Sequence, residues 1–520
     1  MRSLNSFRNA IIAIFYELMI VAFGLVVPKL ITTTYGSDIN GLTSTVNNVL
    51  QILNLLQAGA VGASIFQMFK PVAEKDYEKI SVIMDSTRKF FCRVGVIFLI
   101  LVFIISPVFG LFVKGGGVSF WEKFLAFLIL GINGAVYIFF ITYFDVLFSS
   151  HQQRFVLSVC AIVGKAVYYV LVIAIALLRL PYLLLYAATV VGTLIDVLLL
   201  YIVYLKRYKP LIKKVPKNNA FKIPNRIYLF INQIAIQGIM SMPIVLASLV
   251  GDLNAASVLS YYYLVFNMVK MVLYTMQLSV GEVFGNFIVS KNEGEIKKVF
   301  NLLDFIFAVV GTFLCVCSAF LFSAFINVYT NANTLTDSTG AWVDYMYSSL
   351  PIMLSLLLIF YALKMPYYML TNVYGYYKET YLQSAIFSVA GILLSVGLSF
   401  IDWTFVVIGP IFFYLATYIY RMVVAKRRLS WLSVFNTMRR ICVIITFTAA
   451  AFIASYFFYE NGYPKTYGAW ILQAIITALC AIAAIGAYIA AFERDEFKET
   501  VKYGKAILFR KRKAGGKDNA

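Results

Sequence analysis

Apolar residues fill this chain in runs of twenty or more, and the polar residues between them cluster into short segments. A run of roughly 20 apolar residues crosses a ~30 Å hydrocarbon layer as a helix. Fourteen such runs are read, over residues 10–34, 40–68, 90–113, 119–148, 155–178, 181–204 and 227–250, then 255–288, 300–329, 345–374, 379–400, 403–424, 440–459 and 467–492. The expected fold is an all-α polytopic membrane protein of about 14 transmembrane helices. The first run follows Arg2 and Arg8 but has no small-residue cleavage site behind it, so it reads as a retained helix.

Two polar segments recur. "YGSDINGL" after the first run is answered by "VGDLNAAS" after the seventh, and "EKDYEKISVIMD" after the second by "KNEGEIKKVFNLLD" after the eighth. Asp38 and Asp252 are 214 residues apart, and Asp85 and Asp304 are 219 apart, which is one offset plus a small insertion. The pattern predicts a duplicated six-helix unit around a central cavity. Since six is even, both copies keep one orientation and are related by an axis along the membrane normal. The expected divisions are a lobe over 1–204, a basic linker over 205–226, a second lobe over 227–424, two additional helices within 425–492 and a basic tail over 493–520.

Composition agrees with the pattern, at 61% hydrophobic, 13% charged and a mean hydropathy of +0.83. The net charge of +20 is not spread evenly. With the N-terminus placed in the cytosol, 35 of the 44 Lys and Arg fall in cytosolic segments, and only Lys114, Lys123, Arg179 and Lys465 fall outside. That asymmetry puts both termini in the cytosol and points the basic segments at anionic lipid headgroups rather than at nucleic acid. The six cysteines lie in or beside the runs without paired spacing, and His151 is the one histidine, so no disulfide framework or metal site is suggested. Nothing calls for a cofactor, and no GxxxxGK[ST] loop is present to bind ATP.

Charges inside the apolar runs carry the chemistry. Lys165, Lys270 and Lys364 fall near the middle of their runs, where each costs roughly 2.5–3.5 kcal/mol. Lys29 and Arg93 lie nearer an end and can snorkel. A wet cationic cavity explains the three central lysines better than a lipid-facing position, although pairing with helix carbonyls or buried acids stays open. Polar residues also fall at steps of three and four, with Asn47, Gln51 and Asn54 on the second run, Asn267, Lys270, Tyr274 and Gln277 on the eighth, and Lys364 and Tyr367 on the tenth. Such stripes face protein or water, either as a pathway or as ordinary helix packing. The acids Glu17, Asp145, Asp196 and Glu282 are read either as sites of ion coupling or as counter-ions to the basic residues. An anion attached to a hydroxyl-rich body, such as a sugar phosphate, suits the lysines and the amide and tyrosine stripes together.

The stretch "FRNAIIAIFYELMIVAFGLVVPKLITTTYGSDINGLTSTVNNVLQILNLLQAGAVGASIF", followed by "KDYEKI", resembles the polysaccharide-export branch of the multidrug/oligosaccharidyl-lipid/polysaccharide exporter superfamily, the O-antigen and capsule repeat-unit flippases. It covers about the first 90 residues as motif and the rest as topology and repeat. One departure is Gln57, at a position associated with an acid in that family. The resemblance implies two lobes opening alternately to each side of a bacterial plasma membrane. It further implies an undecaprenyl-pyrophosphate-linked oligosaccharide as cargo, its pyrophosphate drawn to Lys165, Lys270, Lys364 and Lys29, and a polysaccharide polymerase as a downstream partner. Gly24 and Pro28 would let the first helix bend.

Three rivals remain. A drug or cation antiporter of the same superfamily predicts a cavity of acids and aromatics. A membrane enzyme such as a polysaccharide polymerase needs a large outer loop with catalytic groups, whereas residues 330–344 hold no Lys, Arg or His. A membrane scaffold gives no reason for three central lysines.

Overall fold

The computed structural model describes residues 2–502 except 58, 116, 212–225, 291–292, 332, 430–431, 433–434 and 461. Most of the expected basic linker and the end of the basic tail therefore lie outside the described residues. Among the described residues, fourteen helical stretches are long and apolar enough to cross a membrane, matching the fourteen runs read from sequence. Their outward faces carry rows of exposed apolar side chains, such as Ile471, Ile475, Leu479 and Ile482. Water would not tolerate so large an apolar surface, and the chain is a multi-pass membrane protein.

Helix starts follow local chemistry. Asp76 caps α4 (Tyr77–Phe112) by accepting from the Lys79 amide at 3.1 Å. Ser119 and Glu122 form a capping box at α5 (Phe120–Val136). Both α4 and α11 (Glu293–Tyr329) begin before their apolar runs, and they are 36 and 37 residues long.

Two runs expected as single helices are broken. The second is split into α2 (Ser37–Leu53) and α3 (Ala60–Glu74) by a 3₁₀ turn at Asn54–Gln57 and by Gly59, whose φ of +73° suits a residue without Cβ. The fourth is split into α5 and α6 (Thr142–Ser150) by a π turn at Tyr137–Ile141. Thr142 Oγ1 joins the two breaks by donating to Gln57 Oε1 at 3.0 Å. Gln57 thus fixes a bend, which gives this position a structural task that a neutral amide performs.

The chain forms two compact units. Unit 1 comprises Met1–Leu264, Thr334–Asp344 and Ser384–Gly409. It therefore extends beyond the lobe expected over 1–204, because α2 packs along α9 (Arg226–Leu246) and Asn40 Nδ2 donates to Ser257 and Ser260 at the start of α10 (Leu253–Ser290). In the same unit α1 (Arg2–Tyr35) stacks Phe23 on Tyr169 of α7 (Arg154–Leu177), with ring centroids 4.0 Å apart. Near Pro28 of α1, the hydroxyl of Tyr261 donates to the Pro28 carbonyl at 3.2 Å and Thr32 also reaches that carbonyl. An apolar core around Val46, Phe98, Val102 and Phe127 fills one part of the unit, and a second around Phe91, Phe144, Phe148 and Leu200 fills another.

Unit 2 comprises Val265–Asn333, Tyr345–Gln383 and Pro410–Ala520. Its axis is α11, which packs on α12 (Ser349–Val373), α15 (Phe435–Phe458) and α16 (Tyr467–Phe492). The close approach of α11 to α12 is made at Gly311, where a Cβ would sit 2.8 Å from that of Ala362. The last two helices, α15 and α16, are thus built onto α11.

Candidate functional site

Unit 2 gathers cations on α10, α12 and α14 (Ile408–Arg428). The Lys364 side chain is 4% exposed, and its ammonium lies 3.7 Å from the ring centroid of Tyr414, 4.7 Å from Tyr361 and 5.7 Å from Tyr368. Arg421, 1% exposed, lays its guanidinium over the Tyr368 ring at 4.4 Å and donates to Thr371 Oγ1 at 2.6 Å and Asn372 Oδ1 at 3.2 Å. The parallel α12 and α14 create this arrangement by meeting at Tyr361 with Tyr414, Tyr367 with Tyr418, and Thr371 with Arg421. Lys270, half-buried on α10, and Arg421 both add positive potential at Lys364.

Among the described residues, no carboxylate pairs with Lys364 or with Lys270. Ring faces stabilise a desolvated cation by about 2 kcal/mol, close to the roughly 3 kcal/mol that such a charge costs inside a membrane. The rings therefore make the Lys364 position tolerable without neutralising it.

Unit 1 holds a cavity of about 400 Å³. Lys165 and Arg154 of α7 line it, as do Asp145 of α6, Asp196 of α8 (Leu183–Arg207) and Asn47 of α2. Its geometry comes from glycine: a Cβ on Gly164 would lie 2.6 Å from the Gly192 carbonyl oxygen and 3.1 Å from Asp196 Cβ, so α7 and α8 touch through their backbones. Lys165 follows Gly164 directly and Asp196 lies one turn after Gly192, which places both at this crossing. They feel each other's charge, yet their charged atoms are not within the 4 Å of an ion pair.

The expected anion residues are thus divided between the units. Lys270 and Lys364 occur together in unit 2, while Lys165 and Lys29 belong to unit 1, where Lys29 is half-buried on α1 outside the cavity lining. Of the expected sugar-facing residues, Asn47 reaches the cavity, and Gln51 Oε1 instead accepts from Gln237 Nε2 at 3.0 Å. Asn54 sits in the 3₁₀ turn, and Asn267, Tyr274 and Gln277 lie along α10, the first two exposed. Tyr367 is fully buried and its hydroxyl is bonded to Thr437 Oγ1 at 2.9 Å, so it joins α12 to α15. Of the acids, Asp145 and Asp196 line the unit 1 cavity, Glu17 is exposed, and the Glu282 side chain lies outside the described residues.

Sequence reasoning missed Arg421 and a second cluster in unit 2. Arg440 of α15 donates to Asp304 Oδ2 of α11 at 2.6 Å and grips Glu493 with Nη2 at 2.9 Å and Nε at 3.2 Å. Arg439 reaches the same glutamate at 2.6 Å. Thr437 donates to Asp304 at 3.0 Å and meets Tyr367, which continues the network to α12. A signal was present, since Asp304 lies within an expected apolar run and Arg440 begins another.

No protein-family model matches the chain, and no curated protein sequence does. Solved structures do. A multidrug resistance MATE family transporter of the MOP superfamily, in its inward-facing conformation, has a TM-score of 0.63 at 14% identity, with 81% of this chain and 98% of that chain covered. The fold is that of the MOP-superfamily transporters. The MOP fold also relates the chain to the lipid II flippase MurJ in an inward closed conformation, with a TM-score of 0.57 at 15% identity over 92% of this chain and 98% of that one. A MOP superfamily transporter from Pyrococcus furiosus, whose binding pocket is described as reversed in polarity, has a TM-score of 0.51 at 15% identity over 85% and 95%.

Proposed function

We propose that the chain is a flippase that moves an undecaprenyl-pyrophosphate-linked oligosaccharide from the inner to the outer leaflet of a bacterial plasma membrane by alternating access. The observation that carries this reading is the Lys364 cluster, with Lys270 and Arg421 beside it, rings against its ammonium and, among the described residues, no carboxylate paired with it. An anion entering there replaces repulsion between cations with attraction, and a diphosphate brings enough charge for more than one of them. The MOP fold shared with a lipid II flippase supports the same cargo class. An inside-negative potential favours outward movement of an anion by about 2.3 kcal/mol per charge per 100 mV, so the cargo's own charge supplies a driving force. Both termini lie in the cytosol on this reading, where the basic segments meet anionic lipid headgroups. The exported oligosaccharide then becomes available to polysaccharide polymerase machinery in the outer leaflet.

A drug or cation antiporter is the second reading, favoured by Asp145 and Asp196 in the unit 1 cavity. Lys165 and Arg154 line the same cavity and offset those acids, which makes it a poor trap for a cationic drug.

The experiment is deletion of the gene in its own host, followed by a membrane-impermeant sugar-modifying enzyme added to intact cells. Lipid-linked oligosaccharide should accumulate where the enzyme cannot reach it, with rescue by the wild type and not by the Lys270→Ala, Lys364→Ala double variant. An unchanged leaflet distribution, in cells without a redundant exporter, would favour the antiporter.

A further inference from the structure

We infer that the unit 1 cavity is a carbohydrate subsite that takes one sugar ring of the transported glycan. The inference rests on the flippase reading and adds a site to it, apart from the cationic cluster of unit 2.

Size comes first. About 400 Å³ holds roughly a dozen waters at ~30 Å³ each, and it falls in the range of small-molecule sites. A pyranose ring with its hydroxyls is likewise about a dozen heavy atoms.

Polarity narrows the class of ligand. Asn133 Oδ1 and Asp196 Oδ1 are buried acceptors at this cavity with no donor bonded to them. Buried acceptors of this kind call for a hydrogen-bond donor. Lys165 and Arg154 line the same cavity as pure donors that call for an acceptor. A metal cation would satisfy the two oxygens while facing two basic side chains. An anion would satisfy the basic side chains while facing Asp145 and Asp196. A neutral ligand whose groups both donate and accept meets both demands without a charge penalty, and a hydroxyl is that group.

The apolar part of the wall fits the same ligand. Tyr16, Tyr137 and Tyr168 line the cavity, and aromatic side chains supply the apolar surface that the C–H side of a sugar needs. Tyr137 opens the π turn between α5 and α6, the kind of local irregularity that recurs at functional sites. Asn133 lies one turn before it on α5, so the bend and the unpartnered oxygen belong to one short segment.

The test uses the full-length protein in detergent and saturation-transfer NMR with three neutral probes: methyl β-D-glucopyranoside, methyl β-D-galactopyranoside and N-acetyl-D-glucosamine. At least one should show saturation at millimolar concentration, weakened about tenfold by Asn133→Leu and by Lys165→Met. Melting temperatures establish that each variant is folded, and Asp196→Asn serves where either is not. Lys364→Ala should retain the sugar signal. Three results overturn the inference: no probe saturates, saturation survives the cavity variants, or sodium-23 line broadening depends on Asp196 while the sugars stay silent, which marks a cation site. Failure of the leaflet assay with sugar binding intact would instead refute the flippase reading and leave the subsite standing.

Discussion

Lys364 and Arg440 are both cations buried in unit 2, on α12 and α15, and they are handled in opposite ways. Arg440 meets two carboxylates through a guanidinium fork and a side-on bond. Lys364 meets three tyrosine rings. A fully paired buried charge is a structural joint whose failure leaves an uncompensated ion behind. A charge held only by rings keeps its field, and that field is what an anion can use. Similar burial therefore supports different tasks, with the partner set deciding between joint and site.

Asp304→Ala tests the joint and has the largest expected effect. It strips Arg440 and Thr437 of a shared acceptor, and removing one partner of a buried pair costs about 3–5 kcal/mol. Thermal unfolding in detergent should show a large fall, and an unchanged melting temperature would mean that the paired charges do not hold α15 to α11. Lys364→Met should behave in reverse. Removing a charge that costs roughly 2.5–3.5 kcal/mol in a membrane leaves stability equal or higher, while rescue in the leaflet assay is lost. If Lys364→Met destabilises as strongly as Asp304→Ala, the distinction between the two clusters collapses.

Much of this was legible in the sequence, for physical reasons. Hydrocarbon forces each crossing helix to be long and apolar, so fourteen runs gave fourteen helical stretches. Lys364 could be found because it is isolated among apolar residues. Arg421 and Arg440 stand at the ends of the runs 403–424 and 440–459, beside "AKRR" and within "MRR", so both read as cytosolic charge despite that signal. Whether an arginine at the edge of a basic cluster turns inward depends on which helix lies beside it. The breaks at Asn54–Gln57 and Tyr137–Ile141 were hidden for a similar reason, because the bond from Thr142 to Gln57 spans 85 residues. The crossing that places Lys165 near Asp196 depends on Gly164 meeting Gly192, and neither glycine marks a partner by itself.

Tyr414→Leu sharpens the comparison at intermediate size. Its ring is the one nearest Lys364, so its loss should lower stability by about 1–2 kcal/mol in the wild type. On the Lys364→Met background the same change should cost clearly less, since the cation is already gone. The coupling from this double-mutant cycle is the quantity to measure by unfolding. A coupling near zero would show that Tyr414 acts as packing and not as a face for the ammonium.

Acidification gives the smallest effect and separates the clusters by titration. Burial pushes the Glu493 carboxyl up, but bonds and charge from Arg440, and then Arg439, outweigh it and hold the group below its ordinary range. A carboxyl lowered on folding contributes stability that is complete above the unfolded value, near 4.3, and fades as pH falls through the folded value. Melting temperatures of the wild type should therefore drop below about pH 4.3, and part of that drop should vanish in Glu493→Gln. Lys364→Met should keep the wild-type profile, because among the described residues no carboxylate is paired with the ring-held cation. A profile flattened equally by both variants would place Lys364 in the same ionic network as Arg440 and remove the reason to regard it as a binding group.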